Sequence, residues 1–241
     1  MTTQVLAVDR LDAHIVEHRW AFAAARAQEI DRHWEARRRA NPALYDGAVL
    51  LGRRVELLNE AGGARVLRME LFETRFSRFL AWRDFGWPDE TVYNCFAMPA
   101  VRSSDGAYLL GEMGAAHSAA GQLYFPGGTP DPSDILAGGR VDLEGNLIRE
   151  LAEETGLAAH EGRAAPEWSV VVDRRRVACI KRFDWEAPAA ALLARVRSFL
   201  AAEQAPELAD AHMIGEPAAL ADSRLPAFMV AYLAEALAGA D

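Results

Sequence analysis

The chain has 241 residues, of which 51% are apolar and 25% are charged, so it is long enough for one large or two small folded domains. Its formal net charge of -9 excludes a global basic field of the kind that attracts nucleic acid. An anionic ligand would have to be captured locally, by metal ions or by a small group of arginines.

The first part of the chain is predicted to contain both helices and strands. Residues 11–39 are predicted to be helical, because the stretch 20–39 is rich in Ala, Glu and Arg and has no Gly or Pro. Asn41 and Pro42 end this helix. Strands are predicted at 48–51, 53–58 and 65–72, the last two joined by a turn at Gly62 and Gly63, and a short helix at 75–84.

The segment Gly86-Trp87-Pro88 indicates a boundary, and a second β region begins after it. We therefore predict a small N-terminal α+β module over residues 1–88 and a second domain over residues 89–241. Strands in the second domain are predicted at 92–101, 107–112, 121–125, 169–172, 177–183 and 212–214, and helices at 142–155, 189–203 and 226–237. Gly and Pro make the segment 127–139 a loop.

Cys95 and Cys179 stand far apart in apolar surroundings and match no zinc or redox pattern, so we expect two buried free thiols. The first ten residues lack the basic start and apolar run of a secretory signal. No apolar stretch approaches the roughly 20 residues that cross a bilayer. We therefore expect a cytoplasmic protein with no membrane partner.

Three glutamates in the helix predicted at 142–155 are the most informative residues of the chain. Glu150, Glu153 and Glu154 are spaced i, i+3 and i+4, which brings them to one face of a helix. Three like charges at this spacing repel one another, whereas Mg²⁺ or Mn²⁺ would turn them into a hard-oxygen ligand set. A solvated acidic helix face is the alternative interpretation of the triplet alone.

The loop that precedes this helix begins with Pro126-Gly127-Gly128 at the end of a predicted strand. Paired glycines let the backbone come close to a ligand or to the helix and adopt conformations barred to other residues. The backbone carbonyl of Gly127 could complete the coordination of a metal ion.

The string Arg149 to Leu157, with Pro126 to Gly128 before it, resembles the signature of the Nudix family, whose last nine positions it matches in full. The resemblance implies an α/β/α sandwich around a mixed sheet in the second domain. It implies that Glu150, Glu153 and Glu154 bind Mg²⁺ and that Arg149 orients them by salt-bridging. The implied reaction is hydrolysis of a small-molecule diphosphate by a metal-activated water.

The sequence departs from this signature at two positions upstream of Arg149. The slots for a glycine and a further glutamate hold Ile135 and Val141, because the loop after Gly128 is longer. Asp142 or Glu144 could replace the missing carboxylate in part, although Asp142 is better suited to cap the helix. The long loop, together with the turn at 41–47, also resembles a Nudix subgroup that includes UDP-sugar-cleaving members.

Other polar residues have plainer interpretations. Arg174, Arg175 and Arg176 are predicted at a hairpin tip, where an exposed turn is favoured over phosphate contact. His117 and His212 have no partner at metal-ligand spacing. The aromatic residues Phe76, Phe79, Trp82 and Phe85 suit a small core better than a base-stacking platform.

Two classes of function remain after these observations. The first is a Mg²⁺- or Mn²⁺-dependent pyrophosphohydrolase acting on a nucleoside diphosphate derivative, with nucleotide sugars favoured, in which Arg149, Glu150, Glu153 and Glu154 are catalytic. The alternative is a non-catalytic Nudix-fold module that binds nucleotides or regulates. We expect residues 1–88 to shape either the substrate pocket or a homodimer surface, and we expect no nucleic-acid polymer as partner.

Overall fold

The computed structural model describes residues 3–239. Residues 1 and 2 of the predicted module 1–88 and residues 240 and 241 of the predicted domain 89–241 lie outside the described part. The strands are β1 (Gln4–Val8), β2 (Arg10–Ile15), β3 (Ala48–Asn59), β4 (Arg65–Arg75), β5 (Asn94–Arg102), β6 (Tyr108–Met113), β7 (Leu123–Tyr124), β8 (Arg163–Ala164), β9 (Trp168–Asp173), β10 (Arg176–Asp184) and β11 (Leu208–Ile214). The helices are α1 (Ala21–Ala25), α2 (Ala27–Ala40), α3 (Phe76–Asp84), α4 (Leu143–Thr155), α5 (Ala189–Ala202) and α6 (Ala227–Ala238).

The larger of the two sheets is mixed and has the strand order β1-β9-β10-β5-β6-β11, with β7 beside β6 and β8 beside β10. Strands β10 and β5 run parallel at its centre, and the other pairs are antiparallel. Strand β1 at the edge belongs to the first ten residues, so the beginning of the chain completes a sheet that is otherwise built from residues 94–214.

The two faces of this sheet are covered by different helices. Alternate residues of β5 and β10 pack on one side against apolar residues of α4 and α5, and on the other side against α6. The predicted α+β class, with a mixed sheet between layers of helices, is confirmed. No helix within residues 3–239 has the length and apolar character needed to cross a membrane.

The smaller sheet has the order β2-β4-β3, in which β2 and β4 are parallel and β3 and β4 antiparallel. Its residues Leu50, Leu67, Met69 and Leu71 join the core formed by the larger sheet and α4. Its other face carries a separate aromatic core, which contains Phe79 and Trp82 with Phe76 and Phe85 packed against it. The prediction that these four aromatic residues build a small core is confirmed, whereas the boundary near residue 88 stays a prediction.

The helix predicted for residues 11–39 is wrong at its beginning. Residues 10–15 form β2, which pairs in parallel with residues 66–71 of β4, and helical structure starts only at Ala21. Pairing with a strand distant in sequence decides the conformation of such a short stretch, and local propensity does not reveal it. The predicted strands 48–51 and 53–58 are one strand, with an irregularity between Gly52 and Arg54.

Lys181 is the only lysine of the chain, and it lies on β10 with 6% of its surface exposed. Its Nζ donates a hydrogen bond of 3.1 Å to the carbonyl of Pro166 and lies 5.0 Å from the centre of the Trp168 ring. Burial lowers the pKa of this ammonium group from its ordinary value. Cys95 and Cys179 are buried free thiols, as predicted.

Candidate active site

Helix α4 carries the three predicted glutamates, and its two ends are fixed by local signals. The Asp142 side chain accepts a hydrogen bond of 3.0 Å from the Gly145 amide, and Gly156 ends the helix in a left-handed conformation at φ 67°. Leu143, Leu147 and Leu151 are buried in the core beneath the sheet. The packed apolar side fixes the rotation of the helix and therefore the direction of its carboxylates.

Glu154 is the most buried of the three glutamates, with 5% of its surface exposed. Its Oε1 accepts a hydrogen bond of 3.1 Å from the Gly127 amide, whereas its Oε2 is buried without a partner among residues 3–239. Burial, followed by the negative charge of Glu207, raises the pKa of Glu154 to about 8. Glu154 therefore has one oxygen atom without a compensating interaction, in surroundings that disfavour its charge.

Two glycines allow the preceding loop to lie against this helix. Gly127 has φ 150°, and a Cβ atom there would stand 2.6 Å from the Ala97 carbonyl oxygen. A Cβ atom on Gly128 would be 3.0 Å from the Glu150 carboxylate. The close approach predicted for the paired glycines is confirmed, while a metal contact through the carbonyl of Gly127 stays a prediction.

Glu150 and Glu153 are both tied to Arg149 but differ in exposure. Arg149 lies 2.8 Å from a carboxylate oxygen of Glu150 and 3.6 Å from one of Glu153, whose side chain is 61% exposed. Burial raises the pKa of Glu150 to about 7, and the charges of Glu153 and Glu207 act in the same direction against the opposing charge of Arg149. Glu150 and Glu154 thus face the interior of the protein, while Glu153 lies at its surface.

A fourth acidic residue, Asp134, anchors Arg149 from a 3-10 turn in the long loop. Its Oδ1 lies 3.0 Å from a guanidinium nitrogen of Arg149, and its side chain is 6% exposed. Asp142 caps the helix, as predicted, and Glu144 is exposed, so the long loop supplies Asp134 as its carboxylate in contact with Arg149. Val141 itself is buried in the core, where a charged side chain would be unfavourable.

Glu207 is a residue of this site that the sequence did not indicate. It precedes β11, and its charge raises the pKa of both Glu150 and Glu154. Nothing in the short stretch Ala205-Pro206-Glu207 forms a recognisable pattern, and only the fold brings it beside α4. The acidic cluster, by which we mean Glu150, Glu153, Glu154 and Glu207, therefore joins two distant segments.

The chemistry of this cluster fits a hard divalent cation. Within residues 3–239, no three His, Cys, Asp or Glu side chains already converge as a ready-made metal site. The buried, unpartnered Oε2 of Glu154 nevertheless lies among further carboxylates, an arrangement that a bound cation would stabilise. Carboxylate oxygens are the ligands that Mg²⁺ and Mn²⁺ prefer.

A cavity of about 390 Å³ begins at the acidic cluster and lies between residues of the first 88 and residues of the rest of the chain. One end is lined by Gly127, Gly128, Glu150 and Glu207. The remaining wall is contributed by the core sheet, α6, the loop 116–119 and residues of the first 88, namely Ala43, Leu44, Tyr45, Val49, Phe76, Phe79 and Arg83. Its volume lies in the range typical of sites for small molecules.

The exposed turn predicted for Arg174, Arg175 and Arg176 is wrong for two of the three residues. Arg174 is exposed, but Arg175 is buried and donates a hydrogen bond to the Glu90 carbonyl. Arg176 lines the cavity, and burial lowers the pKa of its guanidinium group. The hairpin tip folds onto other parts of the chain, which its own sequence does not show.

The two histidines singled out by the sequence take different places. His212 forms a hydrogen bond of 2.9 Å with Glu112, away from the acidic cluster. His117 lines the cavity, and its Nε2 lies 3.8 Å from the Glu207 carboxylate. Burial lowers the pKa of His117, so the neutral ring is favoured there.

No protein-family model and no curated protein matches the chain. Solved structures with a similar backbone include a MutT protein from Methanosarcina mazei Go1, at 18% identity and a TM-score of 0.39 over 60% of this chain and 92% of that one. Another is RenU, a Nudix hydrolase from M. smegmatis, at 16% identity and a TM-score of 0.38 over 61% of this chain and 86% of that one.

A third similar structure is a bifunctional NMN adenylyltransferase/ADP ribose pyrophosphatase from Francisella tularensis, complexed with AMP and a Mn ion. It is 17% identical, with a TM-score of 0.35 over 56% of this chain and 38% of that one. All three similarities are distant, so the function has to be inferred from the residues of the site.

Proposed function

We propose that this chain is a divalent-metal-dependent hydrolase of the Nudix family that cleaves a diphosphate linkage in a nucleoside diphosphate derivative, with nucleotide sugars as the favoured class. The observation that carries the proposal is Glu154. A carboxylate that is 5% exposed, with one oxygen unpartnered and further carboxylates beside it, is unfavourable unless a cation joins it. The residues Arg149 to Leu157 that resemble the family signature supply that carboxylate.

Electrostatics also favours a metal-dependent reaction. A diphosphate carries two or more negative charges, and it would meet the acidic cluster of a chain whose net charge is already -9. Glu150, Glu153 and Glu154 would hold Mg²⁺ or Mn²⁺ at this end of the cavity, and Glu207 lies beside them. When bound, such a metal neutralises charge on the phosphate oxygens and activates water.

The chain's own residues position the reacting groups. The Gly127 amide holds Glu154, and Asp134 holds Arg149, which in turn pairs with Glu150 and Glu153. The oxygen of water forms a bond to one phosphorus, and the bond from that phosphorus to the bridging oxygen breaks. The proton released by water passes to a carboxylate that lines the cavity, and Glu207 is the half-exposed group available for that role.

The test is steady-state kinetics after a Mg²⁺-dependent screen of nucleoside diphosphate sugars, dinucleotides and nucleotides for formation of a nucleoside monophosphate. Glu154→Gln keeps the shape of the side chain but removes its charge, so we expect kcat to fall by roughly 10²-fold or more. Glu144→Gln is the matched control, because Glu144 lies exposed on the same helix outside the cavity. It should retain nearly full activity.

A non-catalytic nucleotide-binding module is the second candidate. It is favoured by the position of Glu153, which is largely exposed and paired to Arg149 rather than converged with its neighbours. The same experiment separates the two candidates. A kcat near that of the wild type in Glu150→Gln, Glu153→Gln and Glu154→Gln alike, or no turnover of any compound, would contradict the hydrolase and leave the binding module.

A further inference from the structure

The cavity has a second polar region on the central strands of the large sheet, apart from the acidic cluster. Asn94 and Arg176 are register partners on the parallel strands β5 and β10. Because register partners project to the same face of a sheet, both side chains leave it on the side that α6 covers. Both residues line the cavity.

Asn94 is a buried amide at the wall of the cavity. It is 8% exposed, and its Oδ1 has no hydrogen-bond partner within residues 3–239. Buried polar atoms of native proteins nearly always have a partner, so this oxygen at a cavity wall is a position where a ligand can supply the missing donor. A carboxamide offers both a donor and an acceptor, and rotation about its last bond exchanges their places.

Arg176, the register partner of Asn94, contributes a guanidinium group to the same cavity. The group lies 5.1 Å from the centre of the Trp87 ring and 6.0 Å from that of Phe228, and its ion pair with Asp173 is long, at 3.7 Å. Stacking against aromatic rings fixes the plane of an arginine and leaves its N–H groups free at the edge. Arg83, which lines the same cavity, is instead engaged with Ser118 through hydrogen bonds of 3.1 and 3.3 Å.

The surroundings of this polar pair suit a flat ring. The rings of Phe96 and Tyr124 each lie 5.7 Å from the ring of Phe228, and all three line the cavity. Gly127, at the acidic end, packs against Ala97. Asn94 precedes Ala97 by three residues on one strand, so the two ends of the cavity are separated by about 10 Å at a rise of roughly 3.3 Å per residue.

We propose that Asn94 and Arg176 form a nucleobase subsite, in which Arg176 donates to a ring nitrogen or carbonyl oxygen and Asn94 pairs with the adjacent N–H group. The base stacks on the aromatic wall, and the ribose and phosphates extend to the acidic cluster. The inference rests on the proposed function, which puts the diphosphate at that cluster. A purely anionic group fits less well, since it has no N–H for Asn94 and would meet Asp173 beside Arg176.

The test is equilibrium binding of AMP, GMP, CMP and UMP to the full chain in Mg²⁺, compared with ribose 5-phosphate, which lacks the base. We expect at least one nucleotide to bind the wild type at least tenfold more tightly than ribose 5-phosphate. Asn94→Ala and Arg176→Lys should reduce that preference to threefold or less. Arg174→Lys is the matched control, because Arg174 is exposed on the same hairpin, and it should leave the preference unchanged.

Arg176→Lys keeps the positive charge and removes only the planar guanidinium group with its paired N–H donors. This variant therefore remains informative if Asn94→Ala fails to fold. The subsite is overturned if the wild type shows no base preference, or if both variants keep it. Equal losses of nucleotide and ribose 5-phosphate affinity would assign the pair to an anion and also overturn it. Hydrolysis that depends on Glu154 without a base preference would reject the subsite alone, whereas a base preference without hydrolysis would reject the proposed function alone.

Discussion

Asp134 is a buried carboxylate whose two oxygens both hold helix α4 in place. Its Oδ1 meets Arg149 at 3.0 Å, and its Oδ2 accepts a hydrogen bond of 3.0 Å from the Asn146 side chain. The Asp131 amide donates to the same Oδ2. Because Arg149 contacts Glu150 and Glu153 in turn, Asp134 acts on the acidic cluster through one intermediate residue.

We expect Asp134→Asn to lower kcat by roughly 10-fold to 100-fold, the range typical of residues that orient metal-binding side chains through hydrogen bonds. The amide has one acceptor where the carboxylate had two, so the free energy of unfolding should also fall, by about 1–3 kcal/mol. Kinetics and chemical denaturation measure the two effects. Unchanged values for both, equal to those of Glu144→Gln, would show that Arg149 does not depend on Asp134.

At the scale of elements, the loop between β7 and α4 determines where the carboxylates of the helix meet the sheet. Its first glycines lie against Ala97 and Glu150, and its 3-10 turn at Pro132–Asp134 delivers Asp134. The long segment that separates Gly128 from the helix therefore supplies the carboxylate that anchors Arg149.

The contact of this loop with the sheet can be tested by comparing two glycines. Gly127→Ala should lower the free energy of unfolding by more than the roughly 1 kcal/mol expected from backbone strain alone, because its Cβ atom would collide with the Ala97 carbonyl. Gly138→Ala is the control, since φ there is 83° but a Cβ atom would meet nothing within 4 Å. Equal destabilisation of the two variants, measured by denaturation, would mean that close packing at Gly127 is unimportant.

At the scale of the whole molecule, the first 88 residues and the rest of the chain share one cavity and one core. Strand β1 completes the large sheet at β9, and apolar residues of β3 and β4 pack into its core. Asp89 joins the two parts, since its side chain accepts hydrogen bonds from the Trp20 indole at 2.8 Å and the Thr91 amide at 2.9 Å. Its backbone carbonyl accepts one from the Trp82 indole at 3.0 Å.

This junction should make stability sensitive to acid. Burial alone would raise the pKa of Asp89, but hydrogen bonds from Thr91 and Trp20 outweigh it and hold that pKa below its ordinary value. The contribution of a lowered carboxyl pKa is present above the unfolded-state value of about 3.9 and is lost as the pH falls through the folded-state value.

We therefore expect Asp89→Asn to lower the free energy of unfolding by about 1–3 kcal/mol at neutral pH and by progressively less below about pH 4. Denaturation curves across pH 2–7 measure the difference from the wild type. Asp31→Asn, which removes an exposed carboxylate of α2, serves as the control. A difference that does not depend on pH would show that the charge of Asp89 contributes nothing.

The sequence predicted most of what depends on local signals. The cap at Asp142 and the stop at Gly156 delimited α4, and the spacing of its glutamates placed Glu150 and Glu154 toward one side. Contacts between segments far apart in the chain determine strand β2, the burial of Arg175, the place of Arg176 in the cavity wall and the approach of Glu207. Such contacts leave no periodicity or motif in the segments themselves, so one sequence alone could not reveal them.

Because Lys181 is buried, chemical labelling of its amine can measure unfolding of the chain. Amine-reactive reagents will find no exposed lysine within residues 3–239, because the single side-chain amine is held beneath Trp168 and hydrogen-bonded to Pro166. Its modification requires that these two contacts be broken. The rate at which Lys181 is labelled therefore follows local opening at β10, and a ligand that binds only the folded chain should slow it.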